Sequence, residues 1–120
     1  MSSVQVIDSY VHNGRVAVLV ELSAETDYAV RTDEFKRLAR GIAMHIAASS
    51  PDSVAALLEQ PFVKEPSHSV GQLVANLSSA LHEHVAVTRF VRWDTNGTPP
   101  QPVPPKGPAV VLRGLFPREA

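Results

Sequence analysis

The chain has 120 residues, an apolar fraction of 44% and a net charge of −1, which together describe one small domain with enough apolar residues for a core. The near-neutral charge excludes the basic surface typical of proteins that bind nucleic acids or anionic membranes. Cysteine is absent, which excludes disulfides and thiol catalysis. No apolar run approaches the roughly 20 residues of a membrane helix, and Met1-Ser2-Ser3-Val4 lacks the features of a signal peptide, so a cytoplasmic location is expected.

The first two predicted elements form a β-hairpin. Strand-like runs at residues 4–11 and 15–22 flank Asn13 and Gly14. Asn-Gly between two such runs is the strongest short hairpin signal, because both residues tolerate a positive φ angle. We therefore expect two antiparallel strands joined by a two-residue turn.

The longest predicted helix covers residues 33–48. Thr32 is its expected N-cap, and Asp33 and Glu34 stand in the first turn, where acidic side chains interact favourably with the helix dipole. The periodic apolar stripe of this helix consists of Phe35, Leu38, Ala39, Ile42, Ala43, Ile46 and Ala47.

Two further helices and a third strand complete the predicted elements. A short helix is predicted at residues 53–58, and Ser69 and Gln72 form a capping box that starts another helix. Residues 85–93 then predict a strand. The order β-β-α-α-α-β indicates an α+β fold, in which a small three-stranded antiparallel sheet carries the helices on one face.

The chain divides by composition into a core of residues 1–94 and a tail of residues 95–120. Seven of the ten prolines lie in the tail. Such a composition favours extended polyproline II structure and resists packing. The apolar residues 109–116 within the tail are nevertheless expected to dock, either as an edge strand or on a partner subunit.

The second strand is apolar on both of its faces. Val16, Val18 and Val20 point to one side, and Ala17 and Leu19 point to the other. A strand with one solvated face should instead alternate apolar with polar residues. The helices can cover one face, so the other needs a lid. One prediction is a homodimer with these five residues at its interface, and the alternative is a central strand covered by the tail.

The connection between the second strand and the long helix carries the predicted partner-binding residues, Thr26, Asp27 and Tyr28. It places a large aromatic side chain beside an acid, between two rigid elements, and connections of this kind are where binding residues concentrate. The alternative is a turn acid followed by an aromatic side chain that packs on its own helix.

The segments around this connection resemble the signature of the elongation factor Ts family. That signature is an apolar strand ending in Glu, a Glu-Thr-Asp-Phe run, an Ala/Val-Arg pair, and an acidic residue and Phe that open a helix. Two more family segments follow in the same order, so the resemblance covers residues ~4 to 94. The matching segments are Val16-Ala17-Val18-Leu19-Val20-Glu21, Glu25-Thr26-Asp27-Tyr28, Ala29-Val30-Arg31, Asp33-Glu34-Phe35, Leu57-Leu58-Glu59-Gln60-Pro61-Phe62-Val63-Lys64 and Arg89-Phe90-Val91-Arg92-Trp93.

The resemblance implies guanine-nucleotide exchange on the GTPase elongation factor Tu. In that family the Asp-Phe pair inserts between helices of the GTPase and disturbs its Mg²⁺ and phosphate sites, so that GDP leaves faster. Asp27 and Tyr28 occupy the matching positions. The family also packs two such subdomains sheet against sheet, which favours the homodimer. Exchange makes and breaks no bond, so an enzyme is not expected, nor is any cofactor, metal, nucleic acid or membrane.

The chain also departs from the family pattern. Tyr28 replaces the usual Phe, and because the sequence starts at the first predicted strand, the N-terminal helical domain of the family is expected to be missing. The helical insertion that the family carries between the long helix and residues 57–62 is missing as well. These departures leave a second function open, namely a dimeric interaction module that keeps the fold and binds elongation factor Tu or another protein without exchange.

Overall fold

The computed structural model describes residues 3–96 and confirms the α+β fold. The elements are β1 (Val4–His12), β2 (Val16–Ala24), α1 (Asp27–Arg31), α2 (Asp33–Ser49), α3 (Val54–Glu59), β3 (Pro61–Phe62), β4 (Glu65–Ser69), α4 (Val70–Leu81) and β5 (Ala86–Asp94). The main sheet is antiparallel, with the strand order β1-β2-β5, and the helices pack against one of its faces. The tail is outside the described residues from residue 97 onward, and so is the docking expected of residues 109–116.

The hairpin of β1 and β2 turns at the predicted Asn-Gly pair. Asn13 and Gly14 have φ angles of 54° and 68°, as a type I′ turn requires. The Arg15 N–H closes the turn by donating to the His12 carbonyl at 2.9 Å. The register then runs without interruption from His12 opposite Val16 to the far ends of both strands.

The core lies between the main sheet and the helices. In β2, Val18, Val20 and Leu22 are buried against it, and Val16 lies on the same side. This corrects the predicted dimer interface, because Val18 and Val20 are already enclosed within the single chain. Of the five residues predicted for that interface, only Ala17 and Leu19 lie on the face of the sheet that points away from the helices. The helices and β3 contribute the buried side chains of Phe35, Ile42, Ile46, Leu57, Phe62, Val70, Val74 and Leu77.

The short hairpin of β3 and β4 has no counterpart among the predicted elements. Its Phe62 packs against α2 at Gly41, where an added Cβ would lie 2.8 Å from the ring. His45 of α2 is fully buried, and its Nδ1 accepts the Val63 N–H at 3.1 Å. The proton of the neutral ring is therefore on Nε2, which donates to Gln60 Oε1 at 2.8 Å. These contacts attach the hairpin to α2.

A bulge at Thr88 interrupts the pairing of β2 with β5. Glu21 pairs with Arg89, and the next residue of β2 pairs with Val87, which leaves Thr88 without an opposite residue. Beyond the bulge the last three residues of β2, residues 22–24, are all buried. The end of β2 that leads into α1 is thus enclosed by the rest of the fold.

Candidate functional site

A single helical turn, α1, lies between β2 and α2, where the sequence predicted a loop. Ala29 and Val30 of this turn are buried in the core, whereas Asp27, Tyr28 and Arg31 are exposed. The turn is therefore anchored on one side and presents the other side to solvent.

Two threonines cap the turn at its two ends. The Thr26 hydroxyl accepts the Ala29 N–H at 3.2 Å, which makes Thr26 the N-cap of α1. Thr32 ends α1 and begins α2, because its hydroxyl donates to the Ala29 carbonyl at 2.8 Å and accepts the Phe35 N–H at 3.2 Å. The predicted N-cap role of Thr32 is confirmed. A five-residue helix leaves most of its backbone N–H and C=O groups without partners inside the helix. The two threonines supply hydrogen-bond partners for several of these groups.

The turn is also held from a distant part of the chain by Glu83, in the connection between α4 and β5. Glu83 Oε1 accepts the backbone N–H groups of Glu25 at 2.9 Å and Thr26 at 3.0 Å, and Glu83 Oε2 accepts the Thr26 hydroxyl at 2.5 Å. In return, Glu25 Oε2 accepts the backbone N–H of His84 at 2.6 Å. We call these four hydrogen bonds between residues 25–26 and 83–84 the Glu25–Glu83 clasp.

The backbone that carries Glu83 is itself fixed by the end of α4. His82 adopts the left-handed conformation with φ 58°, and its N–H donates to the Ser79 carbonyl at 3.3 Å. The Glu83 N–H donates to the Ser78 carbonyl at 3.1 Å, which completes a Schellman motif. The Val85 N–H donates to the Ser78 hydroxyl at 3.0 Å. The carboxylate of Glu83 therefore extends from an ordered helix end.

The clasp favours the charged form of Glu83. The hydrogen bond from the Thr26 hydroxyl is the largest cause that lowers the pKa of Glu83 below its ordinary value. Desolvation opposes this effect, and the backbone N–H groups of Glu25 and Thr26 lower the pKa further. At neutral pH the side chain is thus a carboxylate that accepts charge-assisted hydrogen bonds.

The predicted residues Asp27 and Tyr28 are brought together on the outer side of the turn. Tyr28 is 75% exposed, more than any other large apolar or aromatic side chain within residues 3–96. In that part of the chain, neither Asp27 nor Tyr28 uses its side chain in a hydrogen bond, an ion pair or a ring contact. This exposure removes the alternative in which Tyr28 packs on its own helix.

A second unusual surface is the open face, which we define as the side of the main sheet away from the helices. Leu19 lies at its centre between Ser9 and Val91, and Ala17 lies in the next row. Of the seven exposed large apolar side chains within residues 3–96, five are on this face. The residues that point outward include Ile7, Ser9, Val11, Ala17, Leu19, Glu21, Arg89, Val91 and Trp93.

One ion pair crosses the open face. Arg89 Nε lies 3.0 Å from Glu21 Oε1, and the hydroxyl of Thr88 donates to the same oxygen at 2.7 Å. The Thr88 hydrogen bond, followed by that from Arg89, lowers the pKa of Glu21. The pair borders the apolar residues at one end of the face.

Two other types of site are not found in the described part of the chain. Residues 3–96 contain no group of three or more His, Cys, Asp or Glu side chains placed to bind a metal ion. No helix in the same range has both the length and the apolar character needed to cross a membrane.

Comparison with known proteins identifies the family. The family model described as Elongation factor TS matches residues 1–56. Elongation factor Ts of Rubrobacter xylanophilus is 34% identical over 134 aligned positions, which cover 73% of this chain and 69% of that relative. The chain belongs to the elongation factor Ts family. Elongation factor Ts of Koribacter versatilis is 34% identical, with 71% of this chain and 60% of the relative covered, and that of Alkaliphilus oremlandii is 29% identical, with 73% and 62% covered.

The chain spans only 60% to 69% of the length of these relatives. The alignments run over 131 to 134 positions, more than the 120 residues of this chain, so the relatives carry residues inside the matched region that are missing here. The part matched by the family model contains β1, β2, α1 and α2, and therefore Thr26, Asp27 and Tyr28.

The sequence predicted Thr26, Asp27 and Tyr28 as partner-binding residues and gave no role to Glu83. No local pattern indicates that a glutamate just after a helix end accepts hydrogen bonds from residues 57 and 58 positions away. The one available signal is that Thr26 precedes an acidic residue, as N-cap threonines often do. That signal predicts Thr26 as an N-cap but does not predict its hydrogen bond to Glu83.

Proposed function

We propose that this chain binds elongation factor Tu and promotes the release of GDP from it. The observation that carries the proposal is Tyr28, which lies on a capped turn and is 75% exposed. Burial of a side chain of this size contributes about 1.5–3 kcal/mol. Such a ring on a rigid support is suited to insertion into a pocket of another protein.

The mechanism follows from how a GTPase holds its nucleotide. Phosphate contacts and Mg²⁺ dominate the binding of GDP. Family membership supports the insertion of Asp27 and Tyr28 between helices of the GTPase, beside those contacts. By linkage, a protein that binds the nucleotide-free GTPase more tightly than the GDP form weakens GDP binding by the same factor. No covalent bond changes in this process, so we propose an exchange factor and not an enzyme.

Because this chain has Tyr28 where the family has phenylalanine, the pocket of the GTPase has to accommodate a hydroxyl group. Its hydroxyl has to reach water or a polar group, because an unsatisfied buried hydroxyl costs about 1–3 kcal/mol. We therefore expect Tyr28→Phe to leave exchange unchanged or to make it faster.

The test is stopped-flow release of a fluorescent GDP from elongation factor Tu. The wild-type chain should accelerate release, and Asp27→Ala combined with Tyr28→Ala should slow it toward the rate of the GTPase alone. Val63→Ala is a matched control, since Val63 is also an exposed apolar residue, at 42%, but lies next to β3. The double variant should melt within a few degrees of the wild type, because substitutions of exposed residues usually change stability by less than ~0.5 kcal/mol.

Three results would contradict this proposal in different ways. If wild-type protein releases GDP no faster than the GTPase alone, exchange is wrong. If the double variant is as active as the wild type, the site is wrong. If the double variant unfolds, Tyr28 is a structural residue.

The second candidate function is an interaction module without exchange, and the open face favours it. We propose that two chains pair as a homodimer through their open faces, with the sheets about 10 Å apart. Contiguous apolar surface of this kind marks interaction sites, and a closed twofold dimer is the commonest assembly. Sedimentation at micromolar concentration should show twice the chain mass, and a species of only 13.0 kDa would contradict the dimer. Binding of elongation factor Tu without faster GDP release would select the module.

A further inference from the structure

In the Glu25–Glu83 clasp, both oxygens of the Glu83 carboxylate accept hydrogen bonds from the residues that precede Asp27. Both oxygens of Glu83 are engaged, with three donors from Glu25 and Thr26. The backbone N–H of Glu83 is bound to the end of α4 through Ser78. The carboxylate is therefore aimed by a helix end, and the segment before the turn is tied to a separate part of the fold.

Thr26 is the residue on which the clasp and α1 converge. Its hydroxyl donates to Glu83 and accepts from Ala29, so one rotor orientation serves both contacts. Without Glu83, the hydroxyl is free to rotate, and the N–H groups of Glu25 and Thr26 lose their acceptor. A helix of five residues is too short to be stable without such support.

We propose that Glu83 is a positioning residue that holds the Asp27–Tyr28 turn in the conformation that elongation factor Tu recognises. This inference rests on the proposed exchange function and adds a residue that acts through Thr26. When only a fraction of a protein is in the binding-competent conformation, its apparent dissociation constant rises by the reciprocal of that fraction. Loss of Glu83 should thus weaken recognition of the GTPase and leave the exchange step intact.

The first experiment separates the half-saturating concentration of the chain from the maximal rate of GDP release. For Glu83→Ala we expect the half-saturating concentration to rise about tenfold if the competent population falls to about a tenth. The maximal rate should stay at the wild-type value, because Asp27 and Tyr28 are unchanged. Glu83→Gln should give a smaller rise, since its amide oxygen can accept the two backbone N–H groups but its nitrogen cannot accept the Thr26 hydroxyl.

The second experiment measures the turn without the GTPase. Amide hydrogen exchange of residues 25–29 should be faster in Glu83→Ala than in the wild type, while that of the buried part of α2 should be unchanged. Glu59→Gln is the matched control, because Glu59 is an exposed carboxylate on α3 that lies outside the clasp. It should leave both measurements at their wild-type values.

Several outcomes would overturn the inference. Wild-type values for Glu83→Ala in both measurements would show that the clasp does not order the turn. A lower maximal rate at an unchanged half-saturating concentration would show that Glu83 acts in exchange itself. If both Glu83 variants unfold, Glu83 supports the fold as a whole. Failure of the proposed function looks different: wild-type protein would not accelerate GDP release, although amide exchange of residues 25–29 still responded to Glu83→Ala.

Discussion

Leu19→Ala tests the proposed homodimer at the centre of the open face. Leu19 is 50% exposed in the single chain, between Ser9 and Val91. Full burial of a leucine side chain contributes about 1.5–3 kcal/mol, so covering its exposed half contributes about 1 kcal/mol per subunit. In a dimer with twofold symmetry the substitution is present in both subunits. The dimerisation free energy is therefore weakened by about 2 kcal/mol, which makes the dissociation constant roughly 30-fold larger.

The assay is sedimentation equilibrium over a range of protein concentrations, with the melting temperature measured in parallel. Val63→Ala is the control, because Val63 is exposed to a similar extent, 42%, and does not lie on the open face. It should leave the dissociation constant unchanged. The proposed interface is wrong if the Leu19→Ala dimer dissociates no more readily than the wild-type dimer, or if the two variants weaken the dimer equally.

Three further predictions concern the fold and the clasp. Gly41→Ala should destabilise the chain by about 1–3 kcal/mol in urea unfolding, because its Cβ would meet the buried ring of Phe62 at 2.8 Å. His82→Gly should raise stability by about 1 kcal/mol, and with it the melting temperature, because His82 has a positive φ of 58°. The folded-state pKa of Glu83 is lowered, first by Thr26, so its contribution to stability is present above the ordinary carboxyl value of 4.5 and is lost as the pH falls through the folded-state pKa. Thermal melts at fixed protein concentration should therefore show a difference between wild type and Glu83→Gln that shrinks as the pH is lowered below 4.5.

The elements that the sequence predicted correctly are those with a local physical signal. The Asn13-Gly14 turn follows from two residues that tolerate positive φ, and both angles are positive in the structure. Helix α2 follows from an apolar stripe with a threonine cap, and α4 begins where Ser69 accepts the Gln72 N–H. Each signal is contained within a few residues, so no tertiary contact was needed to recognise it.

The elements that the sequence did not predict depend on contacts between distant residues. Helix α1 is one turn long, which is too short to show apolar periodicity, and its caps are completed by Glu83. The β3–β4 hairpin has two residues in its first strand and is attached through His45. The sequence shows that β2 carries apolar residues on both of its faces. It does not show which face the helices cover, and only the burial of Val18 and Val20 in the structure does so.

In the proposed function, insertion of one aromatic side chain drives binding only if the turn that carries it is already ordered. Burial of Tyr28 contributes about 1.5–3 kcal/mol, whereas fixing the backbone of one residue costs about 1–2 kcal/mol. Ordering residues 26–28 at the moment of binding would therefore cancel the gain. The caps at Thr26 and Thr32 and the carboxylate of Glu83 order these residues in the free chain, so that the free energy of burying the ring remains available to act on the GTPase. An exchange factor built in this way depends on the stiffness of a presented side chain, and a nucleophile or a proton-transfer pair would add nothing to it.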